Sequence, residues 1–204
     1  MRHDGRAGKG GRGPGRLRRF RRMSVGDGDG GGLSVRAAEV ADADAIAAVH
    51  VAGWRRAFAG VVDAEFLAEL DVSRRAAGWR RMLLEPARRS TVLVAVRAGE
   101  VAGFCAAGAS RDSSASADVG EVYAIYADPA QLGTGVGRAL MTAALDFLRA
   151  EGFTRATLWT LEGNALGRAF YDRSGWALDG ARHDEQVGPD VLSEVRYARG
   201  LAGS

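Results

Sequence analysis

From Val119 to Leu148 the chain reads "VGEVYAIYADPAQLGTGVGRALMTAALDFL": a strand-like apolar run, a polar turn, glycines at 133, 135 and 137, then apolar residues at helical spacing. This feature restricts the fold most, because a strand passing through a side-chain-free loop straight into a helix is a building unit of α/β domains. Glycine costs roughly 1 kcal/mol against alanine within a helix and loses more freedom than other residues when ordered. Three on alternate positions therefore need a compensating use. A helix N-terminus supplies one: its first amides have no intrahelical partner and carry about half a positive charge, so a phosphate can rest on them where side chains are missing. The stretch reads as a pyrophosphate cradle, with an ordinary strand-to-helix turn as the alternative.

The kind of nucleotide can be narrowed. A P-loop needs G-x-x-x-x-G-K-[ST], and the only lysine is Lys9. The dinucleotide fingerprint needs G-x-G-x-x-G early in a βαβ unit, whereas here G-x-G-x-G comes late in the chain.

Around the cradle the pattern predicts a strand from Leu33, a helix over "DADAIAAVHVAGWRRAFAG", two further helical pieces ending before Pro86, and a hairpin whose arms flank "RAGE". After the cradle helix come a strand at "RATLWTL", a helix at "NALGRAFYDRS" with Asn164 as N-cap, and closing strands at "GWALDG" and "LSEVRYARG". The order β, helices, β, β, β, α, β, α, β, β means a single α/β domain with a mixed sheet over 33–204.

Residues 1–32 lack apolar periodicity and are expected to form a disordered, basic, glycine-rich tail. Residues 1–22 hold nine Lys/Arg against one acid, and the remainder nineteen Lys/Arg against twenty-four acids, so the folded part is net negative despite the overall +3. A basic tail can bind nucleic acid through phosphate neutralisation, but this one has a single aromatic side chain of the Phe, Tyr or Trp type, Phe20, and no base-reading helix; translation from Met23 is the plainer expectation. No stretch reads as a membrane span or a secretory signal, and the lone Cys105 lies in an apolar strand pattern as a small core residue, so a cytoplasmic location is expected. Three histidines and one cysteine give no spacing for a metal site.

Taken together, "EVYAIYADP", "QLGTGVG" and "NALGRAFYDRSGW" resemble, in order and spacing, the GNAT superfamily of N-acetyltransferases. The resemblance covers the chain from about Leu33 to its end. It implies a mixed, mostly antiparallel central sheet, splayed between its fourth and fifth strands and flanked by helices. It also implies acetyl-CoA as co-substrate and no metal. The pyrophosphate would lie on Gly133, Thr134, Gly135, Val136, Gly137 and Arg138; the backbone of Ile125, Tyr126 and Ala127 would pair with the pantetheine arm, as a peptide adds to a sheet edge; Asn164 would add a contact. Where the family usually carries Gln or Arg just before the first glycine, this chain has Leu132, with Gln131 one place earlier.

Acetyl transfer to an amine poses two proton problems. An alkylamine with pKa near 10.4 is charged at pH 7, and freeing its lone pair costs roughly 4 to 5 kcal/mol. In the family an acid placed like Glu121 often accepts that proton, and a tyrosine placed like Tyr171 protonates the leaving thiolate. The plainer readings are a solvated strand-end carboxylate and a packing aromatic. By alternation Glu121, Tyr123 and Ile125 share a face, with Tyr126 on the other, although a bulge would overturn that parity. Tyr123 is a candidate for the acceptor pocket, as are Trp54, Arg55 and Phe58 of the first helix; for Trp54 and Phe58, four apart, core packing serves equally well.

The sequence therefore points to an N-acetyltransferase acting by direct attack of a small-molecule or peptide amine, with no membrane partner and a homodimer as a compatible assembly. The competing readings are a silent acyl-CoA sensor on the same fold and a nucleic-acid binder acting through the tail.

Overall fold

The computed structural model describes residues 23–25 and 32–201. Among these, eight strands form one sheet: β1 Met23–Val25, β2 Leu33–Ala37, β3 Thr91–Arg97, β4 Glu100–Ala109, β5 Val119–Ala127, β6 Arg155–Leu161, β7 Ala177–Val187 and β8 Asp190–Gly200. Five α-helices accompany them: α1 Ala43–Ala57, α2 Ala64–Ala68, α3 Val72–Leu84, α4 Val136–Ala150 and α5 Ala165–Arg173. The strand order is β1-β2-β3-β4-β5-β6-β8-β7, and every neighbouring pair is antiparallel except β5 with β6.

Most of the tail assigned to residues 1–32 lies outside the described residues. Met23–Val25, within the stretch the sequence reading assigned to that tail, forms β1 and pairs antiparallel with β2, filling the edge that β2 leaves free on the side away from β3. Counted from Leu33, the fourth and fifth strands of the sequence reading are β5 and β6. The hairpin at "RAGE" turns on Ala98 and Gly99, both at positive φ (50° and 83°), as the tight two-residue turn between twisted strands requires.

Helix α4 covers one face. Its Val136, Leu140, Ala144 and Leu148, spaced by four, are buried with Leu93, Cys105 and Leu158. Helices α1 and α3 cover the other face, where Ile46 and Trp79 pack on Val94 and Phe104. A third cluster, Phe58, Val62, Leu67, Leu161 and Val187, closes the end between α2 and the β7–β8 hairpin. Where α1 crosses β5, a Cβ on Gly53 would stand 2.6 Å from Cδ1 of Tyr126, so only glycine admits that ring.

Two irregularities in β5 shape everything that follows. Ala106 opposes Ala124 but Ala107 opposes Val122, leaving Tyr123 as an extra, bulged residue. The expected parity is overturned: Val122, Ile125 and Ala127 join the α4 face, while Tyr123, Ala124 and Tyr126 join the α1 face. On its other side, β5 pairs with β6 only through Val119–Glu121 and Arg155–Thr157. Beyond Glu121 the two strands part, and the β6-facing backbone groups of Val122–Ala127 have no strand partner.

Candidate functional site

The parting of β5 from β6 opens a cavity of about 990 Å³. Its lining includes Val122–Ala127 on one side and Trp159, Thr160 and Leu161 on the other. The glycine loop stands at its mouth.

Asp128 opens that loop by accepting a hydrogen bond from the Ala130 amide (2.8 Å), and Pro129–Gln131 form one 3-10 turn. Gly133 and Gly135 then take φ of 78° and 89°, the left-handed region that costs other residues roughly 1–2 kcal/mol. Gly135 is the N-cap of α4 and offers no side chain to the first-turn amides, so those donors face the cavity mouth. Gly133, Thr134, Gly135, Gly137 and Arg138 all line the cavity. Val136, expected among them, does not: its side chain is 1% exposed in the core, which leaves only its backbone for a ligand.

Gln131 has a structural use that local sequence does not reveal. Arg97, at the end of β3, donates to its Oε1 (2.9 Å) and to the Thr134 carbonyl (3.1 Å), tying the β3–β4 hairpin to the cradle.

Asn164, Tyr171, Trp54, Phe58 and Tyr123 also line the cavity. Asn164 caps α5, accepting from the Gly167 amide (2.9 Å) and donating to Thr160 Oγ1 (3.0 Å). Tyr171 packs beside Tyr197, with ring centres 5.5 Å apart, and burial pushes its phenol up, so it keeps its proton at neutral pH. Tyr123 donates to the Ala109 carbonyl (2.6 Å), under the guanidinium of Arg111. Phe58 is buried edge-on to Trp54, so both serve the core and the wall together. Arg55, expected in the pocket, turns away. It caps α2 by donating to the carbonyls of Leu67, Ala68 and Leu70, because its place on α1 is rotated about 100° from Trp54.

Glu121 sits at the vertex where β5 and β6 part, is 1% exposed and is absent from the cavity lining. Both its oxygens are occupied by Arg111: Oε2 accepts from the backbone N–H (2.7 Å), and Oε1 from Nε (3.0 Å) and Nη2 (2.5 Å).

The carboxylates that do line the cavity, Glu185 and Glu194, come from the β7–β8 hairpin and were missed in the sequence. Burial lifts the Glu194 carboxyl above its ordinary pKa, with Glu185 and Glu121 adding and His183 and Arg111 opposing. His50 of α1 also lines the cavity; it accepts from Trp79 Nε1 at 3.2 Å and is held neutral by burial, its pKa pulled down to about 3. Among the described residues, no helix is long and apolar enough to cross a membrane.

Comparison with known proteins agrees with this geometry. Residues 56–176 match the acetyltransferase (GNAT) family. The uncharacterized N-acetyltransferase YuaI of Bacillus subtilis (strain 168) is 30% identical over 132 residues, which are 65% of this chain and 73% of that protein. A mycothiol acetyltransferase of Beutenbergia cavernae is 47% identical over 60 residues, 29% of this chain and only 20% of that longer enzyme. Among solved structures, YncA of Salmonella typhimurium, a putative acetyltransferase described with its cofactor acetyl-CoA, superposes with a TM-score of 0.63 at 20% identity, covering 84% of this chain and 95% of that one. At that identity the likeness is one of fold.

Proposed function

The chain belongs to the acetyltransferase (GNAT) family, and from that premise we propose that it transfers an acetyl group from acetyl-CoA to a primary amine by direct attack. The observation that carries the reading is the opened cleft: an unpaired edge of β5 leads from first-turn amides to a cavity walled by aromatic side chains.

The residues present suit acetyl-CoA. A Cβ at Gly133 or Gly135 would meet nothing within 4 Å, so the loop borders open space where a diphosphate can reach the amides of α4. Arg138 and Arg173 line the same cavity and supply positive charge for phosphate. The free backbone groups of Ile125–Ala127 match the amides of a pantetheine arm. Acetyl-CoA supplies a thioester carbonyl open to a neutral amine.

Two protons leave an ammonium acceptor in such a transfer. One must reach solvent before the lone pair can attack. The other leaves the nitrogen after the C–N bond forms, while the C–S bond breaks and sulfur receives a proton. Tyr171 suits this last role, since a phenol kept protonated by burial can donate across the pH range where amines react.

Calorimetry with CoA, together with thiol release from acetyl-CoA in the presence of primary amines, tests the reading. We expect CoA to bind wild type and Tyr171→Phe alike, with kcat reduced about 100-fold or more in the variant. Absence of any binding heat would remove the reading; binding without turnover of any amine would leave an acyl-CoA sensor.

A further inference from the structure

We infer that Glu194, in place of Glu121, takes the first proton from the acceptor ammonium and that His183 passes it to solvent; this rests on the acetyl-CoA reading above.

A proton acceptor needs an oxygen lone pair directed at the substrate. Glu121 offers none: it is buried, does not line the cavity, and its two oxygens accept three hydrogen bonds from the backbone and guanidinium of Arg111. Glu194 is placed differently. It stands on β8 opposite Leu161 of β6, on the cavity wall, with its side chain 21% exposed and Oε2 3.3 Å from Nε2 of His183.

The charged and titratable groups facing Glu194 come from two strands and one loop: His183 and Glu185 from β7, Glu121 and Tyr126 from β5, and Arg111 from the connection after β4. Burial is the largest influence on its carboxyl and increases its basicity, as a general base working near neutral pH requires. His183 completes a path outward. Its side chain is 41% exposed and its ring meets Trp159 edge-on at 4.3 Å; the nitrogen that faces Glu194, Nε2, also lies 3.8 Å from Glu185.

The proton balance is simple. One N–H bond of the ammonium breaks and an O–H bond forms on Glu194; Nε2 of His183 then takes that proton while the Nδ1–H bond releases one to solvent, restoring both the carboxylate and a neutral imidazole before the next turnover. No oxidant or further reactant takes part.

The test uses the full chain with Glu194→Gln, Glu194→Asp and His183→Asn. CoA affinity is measured by calorimetry, and kcat/KM against pH by thiol release from acetyl-CoA. The amine probes are 2-phenylethylamine, 1,4-diaminobutane, glucosamine and an alanyl peptide. For any probe that wild type turns over, we expect Glu194→Gln to bind CoA within about twofold of wild type, lose about 100-fold in kcat and lose the acid limb of the profile. Glu194→Asp should retain the limb at reduced rate, and His183→Asn should slow turnover without abolishing it. A Glu194→Gln variant that keeps its acid limb and a rate within threefold overturns the inference and leaves the acetyltransferase reading intact. Loss of CoA binding in that variant overturns it too, by showing a structural role. If wild type binds CoA but turns over none of the probes, amine transfer falls and this inference with it.

Discussion

His50 gives the stability of this domain a pH dependence that can be worked out in advance. The residue is 9% exposed, and its ring accepts a hydrogen bond from Trp79 and is flanked by Tyr126 (4.9 Å between centres) and Phe104 (5.3 Å). Burial, with Arg75 adding repulsion, pulls its pKa down to about 3, against about 6.5 in the unfolded chain. Between those values the unfolded chain holds a proton that the native state refuses. The contribution is therefore complete above about pH 6.5 and is lost as the pH falls towards 3. At pH 5 the difference amounts to about 1.5 log units of proton binding, or about 2 kcal/mol of lost stability relative to pH 7.5. Replacing His50 with Gln keeps an acceptor for the Trp79 indole and removes the titration. Urea unfolding at pH 7.5 and pH 5 should then show wild type losing about 2 kcal/mol more than His50→Gln between the two conditions. Shared contributions from carboxylates such as Asp42, whose pKa is lowered by its hydrogen bond with Arg36, cancel in that difference. Equal losses in the two proteins would refute the claim that His50 is a buried neutral base.

Other outcomes follow from the cradle. Gly135→Ala places a Cβ in open space but on a backbone with φ of 89°, so its cost is conformational: about 1–2 kcal/mol, a fall in Tm of a few degrees and a several-fold weaker affinity for CoA, read by calorimetry. An unchanged Tm would show that the loop relaxes without strain. Arg97→Ala releases Gln131 and Thr134 and should raise KM for acetyl-CoA about three- to tenfold while sparing kcat; a fall in kcat with constant KM would argue that Arg97 acts elsewhere.

What could be read from the sequence was local. Strand, glycines and helix are consecutive, so their chemistry lies within one window. Asn164 caps the helix it opens through a hydrogen bond to Gly167, three residues on. The facing of β5 could not be read the same way. Tyr123 is bulged because β4 changes register at Ala106, a fact that lives on a neighbouring strand. Arg97 lies 34 residues from the Gln131 it holds. Glu121 stood out because it lies near the start of the strand that leads to the cradle, yet its partner Arg111 sits in a linker whose path no periodicity describes.

The same reasoning explains why the acceptor is the least legible part. The cavity end proposed for it, beside Trp54 and Phe58, is built where α2 meets the β7–β8 turn: Phe66 and Gly188 both line the wall, and a Cβ on Gly188 would fall 2.5 Å from the Phe66 ring. These segments are more than a hundred residues apart, short and set by each other's shape. Glycine at 188, with φ of 60°, lets the turn close against that ring, and the hairpin so placed carries Glu185 and Glu194 to the wall. On the proposed reading, acceptor recognition thus depends on a contact between α2 and the β7–β8 turn, whereas the glycine cradle for the diphosphate is one continuous stretch of chain. A change at Phe66 or Gly188 should therefore alter which amines are accepted and leave CoA affinity as it was.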